Sequence, residues 1–525
     1  MTPRWYYIFD NGWAYFQQLP TCSNPKPTDV EGKWINEGIA NEINQEWKFD
    51  PSLTPIGNCT WGCEEGYERK NDSCVKVEPS FPISTCEDLN NVRLDLTKNY
   101  HLTNDIDCKD FGDFEPLPRY GGRLTSDVKV AVFDGQNHTI SNITIRKPYK
   151  EGDPYSNSNL IASLFIGIGN LGMTSSYMSV HNPSIVKNLK LKNVTLATPP
   201  GVSIDGFNYN YFRAAPLTID LSYGRTDEEN SSIDNVIIEN VHYDINLTET
   251  ASISSNPGKE IILAGVTINN NQHTTINNSK VIGTITYNFY GNNTKPLFVS
   301  FGGITRDNAG TIINSTFELN NDINFDENSR IGGIAERTSS FYKIDNSINK
   351  TNLSGGIVGG IAATSSGRGQ ILSSKNYGNI NASKLGGGLV GHNSGSIINS
   401  YSRANVLGKT AGGLTYSNSD SGYIQNSFSA SYIDATSKGG LVQNTDYAFQ
   451  VNNSYWDICR TESNTSAAGT GKNSDCSEMD VFFPKTELDG NYDVPMQNNE
   501  NPENNWDFTN IWKKVPNWYP KLIWE

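Results

Sequence analysis

The chain has 525 residues, of which 41 are Lys or Arg and 56 are Asp or Glu, so its formal net charge is −15. This acidic balance argues against a nucleic-acid-binding protein, which needs a basic surface stripe. No apolar run approaches about 18 residues, so we expect no membrane-spanning segment in this chain. Hydrophobic residues reach only 36%, yet aromatic residues reach 11%, and Ile, Val and Leu alternate with polar residues. These features favour a folded chain with a thin core over a disordered chain.

The cysteines form local clusters, most of them between Cys22 and Cys108 and the last two near the C-terminus. An even number in clusters favours disulfides, and therefore an extracellular or cell-surface location. Zinc binding is the alternative, but no CxxC motif occurs. The first four cysteines could pair in more than one way. The candidates, given as the pairs that local closure favours, are Cys63–Cys74, Cys86–Cys108, Cys459–Cys476 and the remaining Cys22–Cys59.

Residues 1–80 are predicted to form a disulfide-rich N-terminal region. A segment of this length cannot bury enough apolar surface alone, so cross-links would replace part of its core. Within it, the stretch from Cys59 to Cys74 resembles the C-terminal half of an EGF-like module. The segment before the first Asp is too short and too aromatic for a signal peptide, so an exported protein would need a signal or anchor upstream of this sequence.

Residues 81–457 carry an internal repeat. Double-glycine units followed by Ile or Leu recur at steps of roughly 27 residues, and most are followed within the same step by an Ile-x-Asn-Ser unit. The second glycines of these pairs are Gly303, Gly333, Gly360, Gly388, Gly413 and Gly440. A period of this length with short alternating strands is typical of one coil of a parallel β-helix.

The composition fits this architecture. Asn is the most abundant residue type, and Gly occurs 47 times. Gly suits sharp turns, whereas Asn tolerates the left-handed backbone conformation and can form ladders between stacked coils. We therefore predict an all-β fold, a right-handed parallel β-helix over residues 81–457. Residues 458–525, which end in several Trp and Tyr residues, are predicted to be a capping segment.

Several of these motifs resemble the Gly-Leu-hydrophobic-Gly ("GLUG") repeat of bacterial surface proteins. The resemblance covers about residues 80–525 and implies a β-helix on a large, adhesin-like surface protein. Two coils depart from the motif, because Gly413–Tyr416 and Gly440–Gln443 lack the closing glycine. The matching segments are Gly387–Gly391, Asn393–Ser402, Gly355–Gly359, Asn104–Asp107, Phe133–Ile143, Asn453–Asp457, Trp506–Trp512 and Tyr519–Leu522.

β-Helices also carry enzymes that act on polysaccharides, and a hydrolase needs two carboxylates about 5–9.5 Å apart. Five aspartates are candidates, but they form no recognisable catalytic set: Asp105, Asp107, Asp134, Asp220 and Asp234. His392 is interpreted as a turn residue, and the segment 321–327 lacks EF-hand spacing. Neither a zinc-protease motif nor a serine-hydrolase motif occurs. The sequence thus predicts no catalytic residue, no cofactor and no metal site.

The function predicted from these observations is adhesion or surface presentation without catalysis, by a secreted or cell-surface β-solenoid. Its expected partner is a surface glycan or protein on another cell, or neighbouring copies of the chain itself. Two alternatives remain open. One is a carbohydrate-active β-helix enzyme, either a polysaccharide hydrolase or a lyase. The other is a self-assembling structural subunit of a surface layer or filament.

Overall fold

A computed structural model describes most of the chain beyond residue 78. Before that residue it describes only the backbone of six strands. The chain divides into two compact units, residues 1–80 and 81–525. The three-part division expected from the sequence stays a prediction. The described ranges are 79–121, 130–146, 159–169, 183–198, 211–222, 230–246, 259–290, 297–339, 343–419, 421–446, 450–463, 465–472, 506–513, 515 and 519–525.

The first unit contains three antiparallel strand pairs. They are Trp5–Asp10 with Trp13–Gln18, Trp34–Asn36 with Trp61–Cys63, and Tyr67–Lys70 with Ser73–Lys76. The predicted EGF-like stretch and the disulfides of the first four cysteines depend on side chains that lie outside the described residues.

The second unit is a parallel β-helix, which confirms the predicted fold class. Its largest sheet, sheet A, has 24 strands and includes two of the faces of each coil. The strands of sheet A are Ser80–Ile83, Asn99–Leu102, Ile106–Asp107, Asp113–Phe114, Ala131–Asp134, Thr139–Ser141, Thr144–Ile145, Ser184–Ala197, Ser232–Asn246, Thr275–Asn277, Lys280–Tyr290, Thr311–Ile313, Thr316–Leu319, Lys343–Asp345, Ile348–Asn349, Gln370–Leu372, Lys375–Asn376, Ser396–Ile398, Tyr401–Ser402, Tyr423–Gln425, Phe428–Ser429, Val451–Asn452, Tyr455–Asp457 and Thr470–Lys472.

Two further parallel sheets complete each coil. Sheet B contains Asn159–Ala162, Tyr211–Ala214, Lys259–Ala264, Leu297–Gly302, Ile323–Asn324, Arg330–Gly332, Leu353–Gly359, Ile380–Gly387, Asn405–Gly412 and Tyr432–Gly439. Sheet C contains Phe165–Ile168, Thr218–Leu221, Thr267–Asn270, Thr305–Asn308, Ala335–Thr338, Ala362–Ser365, Val390–Asn393, Thr415–Asn418 and Val442–Thr445.

The Ile, Asn and Ser residues of the Ile-x-Asn-Ser unit each have a different structural role. The Ile residues stack in register inside the coils, as in the column Ile344, Ile371, Ile397, where each side chain is fully buried. The Ser hydroxyl accepts the backbone N–H of the Ser one coil earlier, at 3.1 Å for Ser347 to Ser374. The repeat therefore supplies one apolar and one polar stacking contact per coil.

The Asn of the same unit turns the chain. At this corner Asn235 has φ 53°, in the left-handed region that Asn tolerates better than most residues. Its amide nitrogen donates to Asn188 Oδ1 at 3.0 Å, and Asn278 donates in turn to Asn235 Oδ1 at 3.2 Å. The predicted Asn ladder is thus present in these earlier coils, whereas Oδ1 of Asn399 and of Asn426 in the later coils have no hydrogen-bond partner among the described residues.

Ser373 occupies this left-handed position in one coil, with φ 42°, while the neighbouring coils carry Asn346 and Asn399. We expect Ser373→Asn to raise the free energy of unfolding by about 0.5–1 kcal/mol, because Asn tolerates this left-handed backbone conformation better than Ser does. Thermal unfolding measures the effect. Ser366→Asn, at an exposed turn, is the matched control and should change stability little. An equal gain in both variants would contradict the explanation from backbone conformation.

The double-glycine units lie between sheets B and C. A Cβ atom at Gly360 would lie 2.2 Å from the backbone oxygen of Gly388 in the next coil, and one at Gly388 would lie 2.1 Å from that of Gly413. Since real Cβ contacts are longer than this, only glycine lets successive coils approach so closely. These glycines therefore fix the tight junction at which sheet B meets sheet C.

A short helix follows the strand Ser80–Ile83 near the start of the second unit. Helix α1, Cys86–Asn91, is capped by Thr85 and Asp88, whose side chains exchange hydrogen bonds with each other's backbone N–H groups, and the 3-10 turn Val92–Leu94 follows. Cys86 and Cys108 form a disulfide, which is one of the predicted pairs. Cys459, in helix α2 (Ile458–Thr461), is also disulfide-bonded. Cys476, its predicted partner, lies outside the described residues.

The aromatic C-terminal segment covers the outer face of sheet A in the last coils. Trp512 is fully buried against Tyr401 and Phe428, whose rings stack at 4.8 Å. Glu525 accepts a hydrogen bond from Tyr401 at 2.7 Å. The strands Trp512–Lys513 and Lys521–Leu522 form an antiparallel pair within this segment. The aromatic cap predicted from the sequence is present, but its described residues cover the side of the last coils rather than the open end of the stack.

Candidate functional site

Sheets B and C meet at a corner that is concave towards solvent. Outward side chains of the two sheets contact each other across it: Gln443 of sheet C donates to Ser437 Oγ of sheet B at 2.9 Å. Nearer the N-terminus, Ile262 of sheet B packs with Ile219 and Ile268 of sheet C in a cluster separate from the main core. We call this corner the B–C groove.

The register of the strands defines the residues of the groove. One wall is a sheet B column: Ile161, Arg213, Ile262, Ser300, Arg330, Ile357, Leu385, Thr410 and Ser437. The other wall is a sheet C column: Ile166, Ile219, Ile268, Arg306, Glu336, Ala363, Gly391, Tyr416 and Gln443. The charged residues of the two columns lie among their first five members.

Arg306 lies at the centre of a charged cluster in this groove. Its guanidinium contacts three carboxylates: Glu260 Oε1 at 3.4 Å, Glu336 Oε2 at 3.4 Å, and Asp307. Asp307 also pairs with Arg337, whose Nη2 lies 2.8 Å from Asp307 Oδ2. Arg330, in the sheet B wall, also acts electrostatically on this cluster, so three guanidinium groups balance three carboxylates.

Glu336 is the carboxyl group that the structure favours for protonation. Its side chain is only 1% exposed, and neither of its oxygens has a hydrogen-bond partner among the described residues. Burial raises the pKa of Glu336 to about 7, because the lowering effect of Arg306 does not compensate for lost hydration, and the charge of Asp307 raises it further. A buried carboxyl group with a pKa near neutrality is suited to general acid–base chemistry.

A small surface pocket lies nearer the N-terminal end of the same groove. Its apolar lining is Ile161, Ile166 and Ile219, and its polar lining is Arg119, Arg213, Asp220 and Asn269. Arg119 Nη1 lies 3.1 Å from Asp220 Oδ2 and also donates to the Ser222 hydroxyl. Two polar atoms of the pocket, Arg119 Nη2 and Arg213 Nε, are buried without a hydrogen-bond partner among the described residues.

The five aspartates considered in the sequence analysis do not lie together in the structure. Four lie on sheet A or beside its corners, where they bind neighbouring side chains or backbone: Asp105 with Thr139, Asp107 with Asn142, Asp134 with Asn188, and Asp234 with Asn277. Only Asp220 reaches the B–C groove.

His392 and the segment 321–327, which the sequence analysis also considered as candidate sites, make contacts within the β-helix. His392 Nε2 lies 3.2 Å from the Ser419 hydroxyl in the neighbouring coil. In the segment 321–327, Asn321 hydrogen-bonds to both backbone groups of Ile285, and Asp326 accepts the backbone N–H of Asn328. Within the described ranges, no three His, Cys, Asp or Glu side chains are grouped as metal ligands would be.

Sequence reasoning missed Glu336, Arg306, Arg119 and Arg213. A signal for the first two was present, because both are the third residue after the second glycine of a double-glycine unit, Gly303 or Gly333. The equivalent residues of the next two coils are Ala363 and Gly391, so charge at this repeat position is the exception. Aligning the repeats by their glycines would have placed Arg306 beside Glu336.

No protein-family model matches the chain, and no curated protein matches its sequence. Two solved structures match over most of it. One is a proposed immunoglobulin A1 protease from Bacteroides ovatus, at 15% identity and a TM-score of 0.32, with 85% of this chain and 93% of that chain covered. The other is an IgA1 protease, at 13% identity and a TM-score of 0.32, with 82% and 28% covered. The resemblance to the GLUG-repeat proteins stays a prediction.

These comparisons contradict the expectation of a non-catalytic adhesion protein, since both structures bear the names of proteases. At this identity and TM-score, however, the likeness does not transfer their activity to this chain. Among the described residues, no helix has the length and apolar character needed to cross a membrane.

Proposed function

We propose that this protein is a carbohydrate-active β-helix enzyme that hydrolyses a polysaccharide bound in the B–C groove. The observation that carries the proposal is Glu336, a buried carboxyl group whose pKa is raised to about 7 and whose oxygens lack hydrogen-bond partners among the described residues. Glycoside hydrolysis uses one carboxylic acid with a raised pKa and a second carboxylate in a different environment. Asp307 is the candidate for this second carboxylate, because two guanidinium groups surround it instead of an apolar environment.

In this mechanism Glu336 is the general acid. It donates its proton to the glycosidic oxygen as the bond from that oxygen to the anomeric carbon breaks. A water molecule adds to the anomeric carbon, and its proton passes to Asp307. Arg306, whose side chain is 15% exposed, contacts Glu336 and must move aside for the substrate to reach the acid. The groove continues over several coils, each about 4.8 Å from the next, and so suits a linear polymer.

An extracellular or cell-surface location is part of the proposal. It is supported by the disulfide between Cys86 and Cys108, because disulfides persist in oxidising compartments. The relationship to GLUG-repeat proteins is likewise proposed, on the motif Gly387–Gly391. This motif lies in the scaffold, and it is compatible with an enzymatic groove on another part of each coil.

The test is incubation of the full chain with a panel of neutral and acidic polysaccharides, followed by assays for new reducing ends and for unsaturated ends. We expect new reducing ends without unsaturated ends on at least one substrate. Unsaturated ends would show elimination, which contradicts the hydrolytic role of Glu336. The absence of cleavage across the panel would contradict the proposal as a whole.

A further inference from the structure

The pocket at the N-terminal end of the B–C groove has the chemistry of an anion-binding site. Its described lining contains the guanidinium groups of Arg119 and Arg213 but only one carboxylate, Asp220, so these residues together carry a net positive charge. Asp220 is already occupied, because Asn271 donates to its Oδ1 at 2.7 Å and Arg119 contacts its Oδ2. The excess positive charge is therefore available to a ligand.

The donors of this pocket are held in place. Arg119 Nη1 contacts Asp220, the Ser222 hydroxyl and the backbone oxygen of Gly169, which fixes the plane of the guanidinium. Nη2 of the same group, and Nε of Arg213, remain buried without partners among the described residues. A buried donor without a partner is costly, so an arriving oxygen anion would satisfy both groups.

The remaining surface of the pocket is apolar. Ile161, Ile166 and Ile219 line it beside the arginines. Ile166 and Ile219 are only 2% and 4% exposed, so the pocket is small and offers little apolar surface. It receives the carboxylate of an acidic sugar, while the sugar ring lies in the groove outside the pocket.

The pocket and Glu336 belong to one line of residues. In the sheet C column, Ile219 is followed by Ile268, Arg306 and Glu336, one per coil, so pocket and acid are three coils apart. At about 4.8 Å per coil the separation is about 14 Å. A single polysaccharide chain lying in the groove can therefore occupy both.

We infer that this pocket is a subsite for the carboxylate of an acidic sugar residue, and that the substrate is a uronate-containing polysaccharide. This inference rests on the proposed function for the identity of the polymer, whereas the binding of an acidic sugar in the pocket does not require turnover.

The test is calorimetric titration of the full chain with D-glucuronate, with D-glucose as the neutral counterpart and inorganic sulfate as the bare anion. We expect glucuronate to bind at least 10-fold more tightly than either of the other two. Equal binding of glucose would show that charge is not recognised, and equal binding of sulfate would show that the sugar is not. Either result, or no binding of glucuronate, would overturn the inference.

Substitutions of Arg213 test whether glucuronate binds in the pocket. Arg213→Gln should weaken glucuronate binding about 10- to 100-fold, since a hydrogen bond to a charged group is lost. Arg368→Gln, at an exposed turn outside the pocket, is the matched control and should bind normally. If Arg213→Gln fails to fold, Arg213→Lys, which retains the charge, should show a smaller loss. Unchanged binding in the folded Arg213 variants would overturn the inference.

The enzymatic proposal and the inferred acidic-sugar subsite can be refuted independently. Glucuronate binding that depends on Arg213, without cleavage of any polysaccharide, would refute the enzymatic proposal and leave the subsite. Cleavage of neutral polysaccharides without glucuronate binding would refute the subsite and leave the enzyme.

Discussion

Replacing Glu336 with glutamine is expected to lower the rate of polysaccharide hydrolysis by about 100- to 10,000-fold, the usual contribution of a general acid. Glutamine keeps the shape of the side chain but has no acidic proton to give to the leaving oxygen. The measurement is kcat for the release of reducing ends on the substrate found by the screen.

A matched control is Glu327→Gln, because Glu327 is an exposed glutamate on the same coil region but outside the groove. It should retain full activity. Unfolding would not account for a loss in Glu336→Gln, since this variant no longer carries a buried charge at neutral pH. If Glu336→Gln hydrolyses the substrate at the rate of the unchanged protein, Glu336 is not the acid.

The second large effect concerns stability and does not depend on any activity. The pKa of Glu336 rises from 4.5 to about 7 on folding, so the folded state binds its proton more tightly than the unfolded state does. The stability that this group contributes is fully present below pH 4.5 and is lost as the pH rises through about 7. By about 1.4 kcal/mol per pKa unit, the loss amounts to about 3 kcal/mol.

Comparing the unchanged protein with Glu336→Gln isolates this effect, because other titrating groups are common to both. Between about pH 4.5 and about pH 8, we expect the free energy of unfolding of the unchanged protein to fall by about 3 kcal/mol relative to the variant. Denaturant unfolding across this range measures it. A constant difference between the two proteins at all pH values would show that Glu336 does not titrate in this window.

The fold was predictable because the same sequence units recur in many coils. Each Ile-x-Asn-Ser unit specifies a buried Ile column, a left-handed corner and a Ser ladder, and each double glycine specifies a tight junction. Errors at one coil, such as Ser373 in place of Asn, are outweighed by the neighbouring coils. The disulfides predicted within the first unit rest on no such repetition and stay predictions.

The candidate site was not predictable in the same way. Arg119 and Asp220 are 101 residues apart, and their pairing depends on how sheets B and C face each other. No pattern of alternation specifies the concavity of that corner. The five aspartates attracted attention by their residue type, yet four of them serve corners and ladders of sheet A. The burial of Glu336 follows from its neighbours Arg306 and Asp307 in the preceding coil, which only the register reveals.

The regular stacking of the coils has a consequence for how the chain folds. Ladder contacts join residues 27 apart in the later coils, as in Ser347 and Ser374, and 47 apart in the earlier ones, as in Asn188 and Asn235. Each ladder contact therefore closes a loop of only one coil, and this loop does not grow with the length of the chain. Folding can therefore nucleate locally and propagate from coil to coil. The C-terminal segment differs, because Trp524 bonds to Ser373 across 151 residues, so it can dock only once the coils beneath it have formed.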